Sequence, residues 1–139
     1  MKITDRDISR QELEAIYADF AVIDLQDGIP DHPSARHQYV AEADGIIIGL
    51  ASGLAQHRWF YLTDLWVHKD HRGTGLGSKL LAMLEKKVQS VGIAHMYTWT
   101  SGPGNTIFYQ KQGYEIFAQF DNFYEVEGHH KVGFRKDFP

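Results

Sequence analysis

The stretch Leu65-Trp66-Val67-His68-Lys69-Asp70-His71-Arg72-Gly73-Thr74-Gly75-Leu76-Gly77-Ser78 concentrates residue types that bind anions. An apolar run leads into a turn with glycine at every second position, and a helical pattern follows at once. Glycine removes the Cβ that would block a close approach to the backbone. The N–H groups that open a helix lack intrahelical partners and carry the positive end of its dipole. Arg72 adds a charge-assisted, bidentate contact. Together Arg72, Gly73, Thr74, Gly75, Leu76, Gly77 and Ser78 describe a nest that holds a diphosphate without a metal. The Leu76 side chain belongs to the core, and only its N–H faces the anion.

Other glycine-loop motifs do not fit these residues. A Walker loop requires Gly-Lys-Ser/Thr after four intervening residues, whereas Gly77 is followed by Ser78 and then Lys79. A dinucleotide fingerprint requires G-x-G-x-x-G, but the spacing here is strictly alternate, with Leu80 where a last glycine would stand. A strand-to-helix turn that binds nothing is the remaining alternative.

Periodicity supplies the elements that must position this loop. Ser9 and Glu12 form a capping-box pattern, and Leu13, Ile16, Tyr17 and Phe20 follow at helical spacing, predicting an amphipathic first helix. Asp24 to Arg36 reads as a loop on its Asp27-Gly28, Pro30 and Pro33. Gln38 to Ala43 and Ile46 to Gln56 read as strands joined by the hairpin signal Asp44-Gly45, with Trp59 to Val67 as a third. Leu76, Leu80, Leu81, Leu84, Val88 and Val91 share one helical face, and Gly92 is placed to stop that helix. Ile93 to Thr100 then returns as a strand parallel to the third, completing a right-handed βαβ crossover. Asn105 is predicted to cap a short helix ending before Gly113, and Tyr114 to Glu127 with His130 to Phe138 to form a terminal hairpin. The expected fold class is mixed α/β, in a single domain over residues 1–139.

Bulk properties bound the function. A length of 139 residues with 43% hydrophobic and 23% charged residues suits one sizeable core. No run approaches the roughly 18 apolar residues of a membrane span, and the N-terminus does not read as a signal peptide. A net charge of −4 argues against a protein that tracks a nucleic-acid backbone. The chain has no cysteine, which removes disulfides, thiolate metal sites and a cysteine nucleophile together. The expectation is a cytoplasmic protein with no nucleic-acid and no membrane partner. His68 with His71, and His129 with His130, lack helical i, i+4 spacing with a supporting acid, so no metal is expected.

Arg72, Gly75 and Gly77 match in register the Arg/Gln-x-x-Gly-x-Gly/Ala signature of the GNAT superfamily of N-acetyltransferases. Phe108-Tyr109-Gln110-Lys111-Gln112-Gly113-Tyr114 is similar to that family's F-Y-x-K-x-G-F/Y segment, and Tyr61 to Val67 resembles its diamine acetyltransferase branch. The resemblance implies a mostly antiparallel central sheet with one parallel crossover splayed at an acyl-CoA site and helices on both faces. It implies acetyl-CoA as acyl donor, a small-molecule amine as acceptor, and a homodimer. By the same resemblance Leu65 and Val67 lend strand backbone to the pantetheine arm, and Tyr109 lies near the cofactor sulfur as general acid. The family's asparagine, seven residues before that tyrosine, is Gly102 here. Asn105 then has two readings, a helix cap or a pantetheine contact.

Attack of an amine on a thioester needs a neutral nitrogen, an oxyanion site and a proton for the departing thiolate. Thr63 stands where the diamine branch carries a glutamate, and Asp64 is the adjacent acid and the candidate catalytic carboxylate. His57, Glu42 and Tyr61 are further candidates for the base. The acceptor is expected to be small and cationic. A protein N-terminus or lysine is the alternative acceptor, and a non-catalytic acyl-CoA-binding module is the alternative of another class. Trp59, Trp66, Trp99 and the other aromatic residues read mostly as core and strand filling, with Tyr17, Phe20 and Phe123 as candidates for an acceptor pocket.

Overall fold

The computed structural model describes residues 1–139, which divide into two compact units, Met1–Pro33 and Ser34–Pro139. The first unit holds α1 (Arg10–Gln26), which runs past the Asp24 boundary the loop signals predicted. Ser9 Oγ accepts from the Glu12 N–H at 3.1 Å, and the Glu12 carboxylate accepts from the Ser9 N–H at 2.9 Å, closing the capping box. Arg6 donates to both oxygens of that carboxylate, at 3.1 and 2.9 Å. Arg6 first and the Ser9 groups second pull Glu12 down to about 2. No residue of α1 is buried.

The second unit is a six-stranded sheet in the order β1-β2-β3-β4-β6-β5, formed by β1 (Ala35–Ala43), β2 (Ile46–Gln56), β3 (Trp59–Val67), β4 (His95–Ser101), β5 (Glu115–Phe120) and β6 (Lys131–Asp137). All neighbours are antiparallel except β3 and β4. Asp44 and Gly45 both take positive φ, 51° and 74°, as a tight hairpin turn requires. α2 (Leu76–Ser90) bridges β3 to β4, and α3 (Pro103–Lys111) follows β4. Leu80, Leu81, Leu84 and Val88 of α2 join Ala51, Phe60, Leu62 and Met96 of the sheet in one core cluster. Tyr109 of α3 enters the same cluster, so both helices lie on one face of the sheet. The fold is mixed α/β, with one parallel strand pair in an otherwise antiparallel sheet.

The start of β1, at Ala35 instead of Gln38, the start of α3 and the end of β5 also differ from the sequence pattern. α3 starts at Pro103, before Asn105, because Gly102 caps it with φ 89° and ψ 141°, and Pro103 takes the first helical position, where an N–H is dispensable. β5 ends at Phe120 instead of reaching Glu127. There the Asn122 amide oxygen accepts from the Gly128 N–H at 3.0 Å and His130 Nδ1 accepts from the Asn122 N–H at 3.0 Å. Such side-chain bonds compete with the strand ladder.

Glu85 is the buried charge of the helix layer. Lys136 of β6 donates to its two carboxylate oxygens at 3.3 and 3.0 Å, and Tyr114 Oη donates at 2.9 Å. Burial, and then the Glu85 charge, push the Tyr114 phenol well above its ordinary value, so it stays a donor. Lys136 also donates to the Gln112 carbonyl at 2.8 Å, tying α2, the end of α3 and β6 together.

Candidate active site

Pairing between β3 and β4 stops early. Their parallel register covers only Trp59 with His95, Phe60 with Met96 and Tyr61 with Tyr97, although β3 continues to Val67 and β4 to Ser101. A β-bulge lies where they part. Ser52 pairs with Asp64 and Gly53 with Leu62, leaving Thr63 as the extra residue. Gly53 permits this, since a Cβ there would lie 2.2 Å from the Tyr61 carbonyl oxygen. Beyond Tyr61 and Tyr97 the facing strand edges separate and a cleft opens.

That cleft has a volume of about 340 Å³ and is lined by Leu65, Val67, Arg72, Gly77, Thr100, Asn105, Phe108 and Tyr109. It therefore gathers residues proposed for the cofactor from three separate parts of the sequence. Arg72 Nε donates to the Val67 carbonyl at 2.9 Å, which fixes the guanidinium at the cleft edge. Gly73 and Gly75 adopt φ 74° and 85°, turning the chain into α2. Gly75 caps α2 with no side-chain bond, and no acid lies in the first turn. The first bond across the start of α2 runs from the Lys79 N–H to the Gly75 carbonyl at 3.0 Å, so the N–H groups of Leu76, Gly77 and Ser78 remain for an external acceptor.

The remaining loop residues hold this geometry. Thr74 Oγ1 donates to the His71 carbonyl at 2.6 Å, and Ser78 Oγ accepts from Gln112 at 3.0 Å, joining the start of α2 to the end of α3. Leu76 packs half-buried on the core. Asn105 Nδ2 donates to Thr100 Oγ1 at 3.0 Å and to the Ser101 carbonyl. It is also the atom nearest the missing Cβ of Gly102, at 3.8 Å, so its amide lies beside the space a side chain at 102 would enter.

Tyr109 is buried, stacks on Phe134 at 5.3 Å and meets the edges of Phe108 and Tyr114 at 5.2 and 5.5 Å. Burial pushes its phenol up to about 12, with the Thr98 hydroxyl pulling the other way. The group keeps its proton across the neutral range.

Asp64 is not among the residues lining that cleft. The bulge leaves both Thr63 and Asp64 on the sheet face away from α2, while Leu65 packs on the core and Val67 lies against Gly77. The Asp64 carboxylate accepts from Thr63 Oγ1 at 2.8 Å, and that hydroxyl accepts from Arg36 at 3.1 Å. Asp64 and Tyr109 thus stand on opposite faces of the sheet. Of the other candidate bases, Tyr61 stacks on Tyr97 at 4.9 Å on Asp64's face. His57 lies in the turn before β3, at the far end of that strand from the cleft, and Glu42 lies two strands away on β1. His68 Nδ1 accepts from the Asp70 N–H at 3.1 Å.

The sequence reading missed a group on that same face. Trp59, Tyr97, Trp99, Phe117 and Arg135 line a second cavity of about 270 Å³. Its signal was the alternation Trp59-x-Tyr61 and Tyr97-x-Trp99, which puts successive rings on one side of a strand.

Residues 34–116, more than half of the chain, match the family model described as an acetyltransferase (GNAT) domain. The chain belongs to the GNAT acetyltransferase family. The matched span contains the whole of the bulge, the glycine loop, α2 and α3. Blasticidin-S acetyltransferase of Streptomyces morookaense is 32% identical over 90 residues, covering 61% of this GNAT chain and 63% of that protein. N-alpha-acetyltransferase 60 of Drosophila melanogaster is 30% identical over 79 residues, covering 53% and 29%. The chain thus spans less than two thirds of either of these relatives. An acetyltransferase of Bacillus cereus ATCC 14579 has the same fold, with a TM-score of 0.81 at 23% identity over 98% of both chains. A protein of Agrobacterium tumefaciens gives 0.82 at 23% identity over 99% of this chain and all of that one (100%).

Proposed function

We propose that this GNAT chain transfers an acetyl group from acetyl-CoA to a primary amine of a small molecule by direct attack. The observation that carries the reading is the cleft in which an anion nest, an unpaired strand edge and a buried phenol meet. These residues fit the donor. Arg72, Gly73, Thr74, Gly75, Leu76, Gly77 and Ser78 would hold the diphosphate through uncapped N–H groups and one guanidinium. Leu65, Val67 and Asn105 would hold the pantetheine arm along the open edge of β3. Acetyl-CoA supplies the activated thioester.

The chain's own groups then have distinct tasks. Tyr109 keeps a proton on Oη for the departing sulfur. Asp64, across the opening from Tyr109, orients a cationic amine and takes its proton, either directly or through water. Base on one face and acid on the other suit attack from one side and departure to the other. The exposed Asp64 carboxylate supports a small cationic acceptor, and Tyr61 to Val67 supports a diamine-like one. Both relatives' names leave room for a second acceptor class, since one refers to blasticidin-S and the other to N-alpha acetylation. The flanking cavities, of about 270 and 100 Å³, favour a small molecule over a peptide. The reading extends to a cytoplasmic homodimer, supported by the cysteine-free composition and the free outer edge of β5; light scattering tests the dimer.

Thiol release tests the reaction directly, because a chain without cysteine contributes no thiol of its own. A panel of amines should include at least one that releases CoA stoichiometrically with acetylated product. Tight CoA binding with no thiol release from any amine would instead support an acyl-CoA-binding module.

A further inference from the structure

On the sheet face opposite α2 and α3, Trp59 of β3, Tyr97 and Trp99 of β4, and Phe117 of β5 surround the cavity of about 270 Å³ with Arg135 of β6. Trp59 meets Tyr97 at 6.1 Å and 70°, and Trp99 meets Phe117 at 5.2 Å and 70°. Trp59 also stacks on His95 at 4.2 Å, Tyr97 on Tyr61 at 4.9 Å and Trp99 on Phe120 at 5.6 Å, so a stack covers one face of each of these rings. Trp59 and Phe117 remain 37% and 44% exposed, so these rings do not serve as core filling.

The backbone is shaped to make this space. Phe117 is the extra residue of a β-bulge between Ile116 and Ala118, and its ring lies over Gly133, where a Cβ would come within 2.6 Å of it. Gly133 faces Trp99 in the β4–β6 register.

Arg135, the charged residue of the lining, is already matched. Arg135 lies 5.0 Å from the Trp59 ring centre and donates to Asp137 at 2.9 Å; the same carboxylate contacts His95 at 2.6 Å, whose ring stacks on Trp59 at 4.2 Å. Arg135 first and His95 second hold the Asp137 carboxyl below its usual range, so the guanidinium keeps its counter-charge. The wall thus presents π surface with little net charge.

Tyr97 is the last β4 residue paired with β3, so the cavity adjoins the base of the splay. Asp64 stands on the same face, three residues beyond Tyr61. Tyr61 pairs with Tyr97 of the cavity wall, so ~3.3 Å per residue along β3 and ~4.8 Å across the pair put Asp64 roughly 8–11 Å from that wall. A ring in the cavity and an amine at Asp64 match that span when two or three carbons join them.

Resting on the acetyl-transfer reading, we propose that the acceptor is an arylalkylamine, with its flat ring seated among Trp59, Tyr97, Trp99 and Phe117 and its primary amine at Asp64. The cavity accommodates one ring or a fused pair, while an n-alkylamine has no ring to stack on its π walls.

The test uses the full chain with acetyl-CoA and compares 2-phenylethylamine and tryptamine with an n-alkylamine of similar length and with spermidine. Thiol release reads turnover, and tryptophan fluorescence reads binding of the non-fluorescent amines. Aryl amines should exceed the alkylamine about tenfold or more in kcat/KM, as expected when a ring is buried among aromatic partners. Phe117→Ala and Trp99→Leu should each raise KM for the aryl amines about tenfold on the same ground, leaving KM for the alkylamine and for acetyl-CoA unchanged. Equal kcat/KM for aryl and alkyl amines, or aryl KM unchanged in both variants, overturns the proposal. Phe117-dependent binding of phenylethylamine without turnover of any amine supports the ring seat and overturns acetyl transfer. Turnover without aryl preference does the reverse, and absence of both binding and turnover overturns both.

Discussion

Tyr109 is closed in by Phe108, Tyr114 and Phe134, and a phenolate there would lose its hydration. With the phenol at about 12, the protonated form persists through pH 10 and is lost only as pH rises through that value. The kcat–pH profile should therefore show no falling limb from this residue up to pH ~10, in the direction that a desolvated acid requires. Tyr109→Phe should lower kcat by roughly 10²–10⁴, the range for a positioned acid, with little change in KM for acetyl-CoA. An unchanged kcat would remove Tyr109 from the mechanism. Arg72→Ala acts on the other end of the donor. Losing a charge-assisted bond of about 1.5–3 kcal/mol should raise KM for acetyl-CoA by roughly ten- to a hundredfold at constant kcat.

At the scale of elements, α3 is positioned by a backbone conformation and not by a side-chain cap. Gly102 at φ 89° and ψ 141° lies where an L side chain is strained. Gly102→Ala should cost about 1–3 kcal/mol in urea unfolding. Gly104 is the contrasting case, inside the same helix with no positive φ and with open space for 4 Å around the point a Cβ would occupy. Gly104→Ala should raise stability by about 0.5–1 kcal/mol. Opposite signs two residues apart would separate backbone strain from side-chain packing. The β3 bulge works in a similar way, since one extra residue at Thr63 both ends pairing with β4 and redirects Asp64.

At the scale of the Ser34–Pro139 unit, the Glu85–Lys136–Tyr114 network joins the helix layer to the C-terminal strands. The Lys136 side chain is 27% exposed and that of Glu85 12%. Removing the carboxylate leaves the ammonium with the Gln112 carbonyl and the phenol with the Met96 sulfur as acceptors, and no negative charge beside the ammonium. Glu85→Ala should destabilise the fold by about 3–5 kcal/mol in chemical denaturation, the cost of breaking a buried pair from one side. Replacing Glu85 and Lys136 together by leucine and methionine should recover most of that loss, because apolar isosteres leave no unpaired charge. A double variant as unstable as Glu85→Ala would mean that packing, and not charge, sets the cost.

The sequence by itself determined the features governed by a few neighbouring residues: the capping box at Ser9 and Glu12, the Asp44-Gly45 turn, the single apolar face of α2, and the glycine loop from Arg72 to Gly77. Their φ preferences and periodicities act over one or two turns of chain, so they survive reading in one dimension. Tertiary structure alone decided where β3 leaves β4, because that depends on Gly53, on a different strand, admitting the bulge. It decided that Thr63 and Asp64 share a face, against the strict alternation a single strand predicts. It also turned Trp59, Tyr97, Trp99 and Phe117 from strand filling into the walls of one cavity, since they come from three strands whose order, β3-β4-β6-β5, the sequence does not state. The Arg72 loop is legible as the proposed diphosphate site because anion recognition of this kind rests mostly on local backbone. Acceptor recognition is assembled across strands, and register is what assembles it.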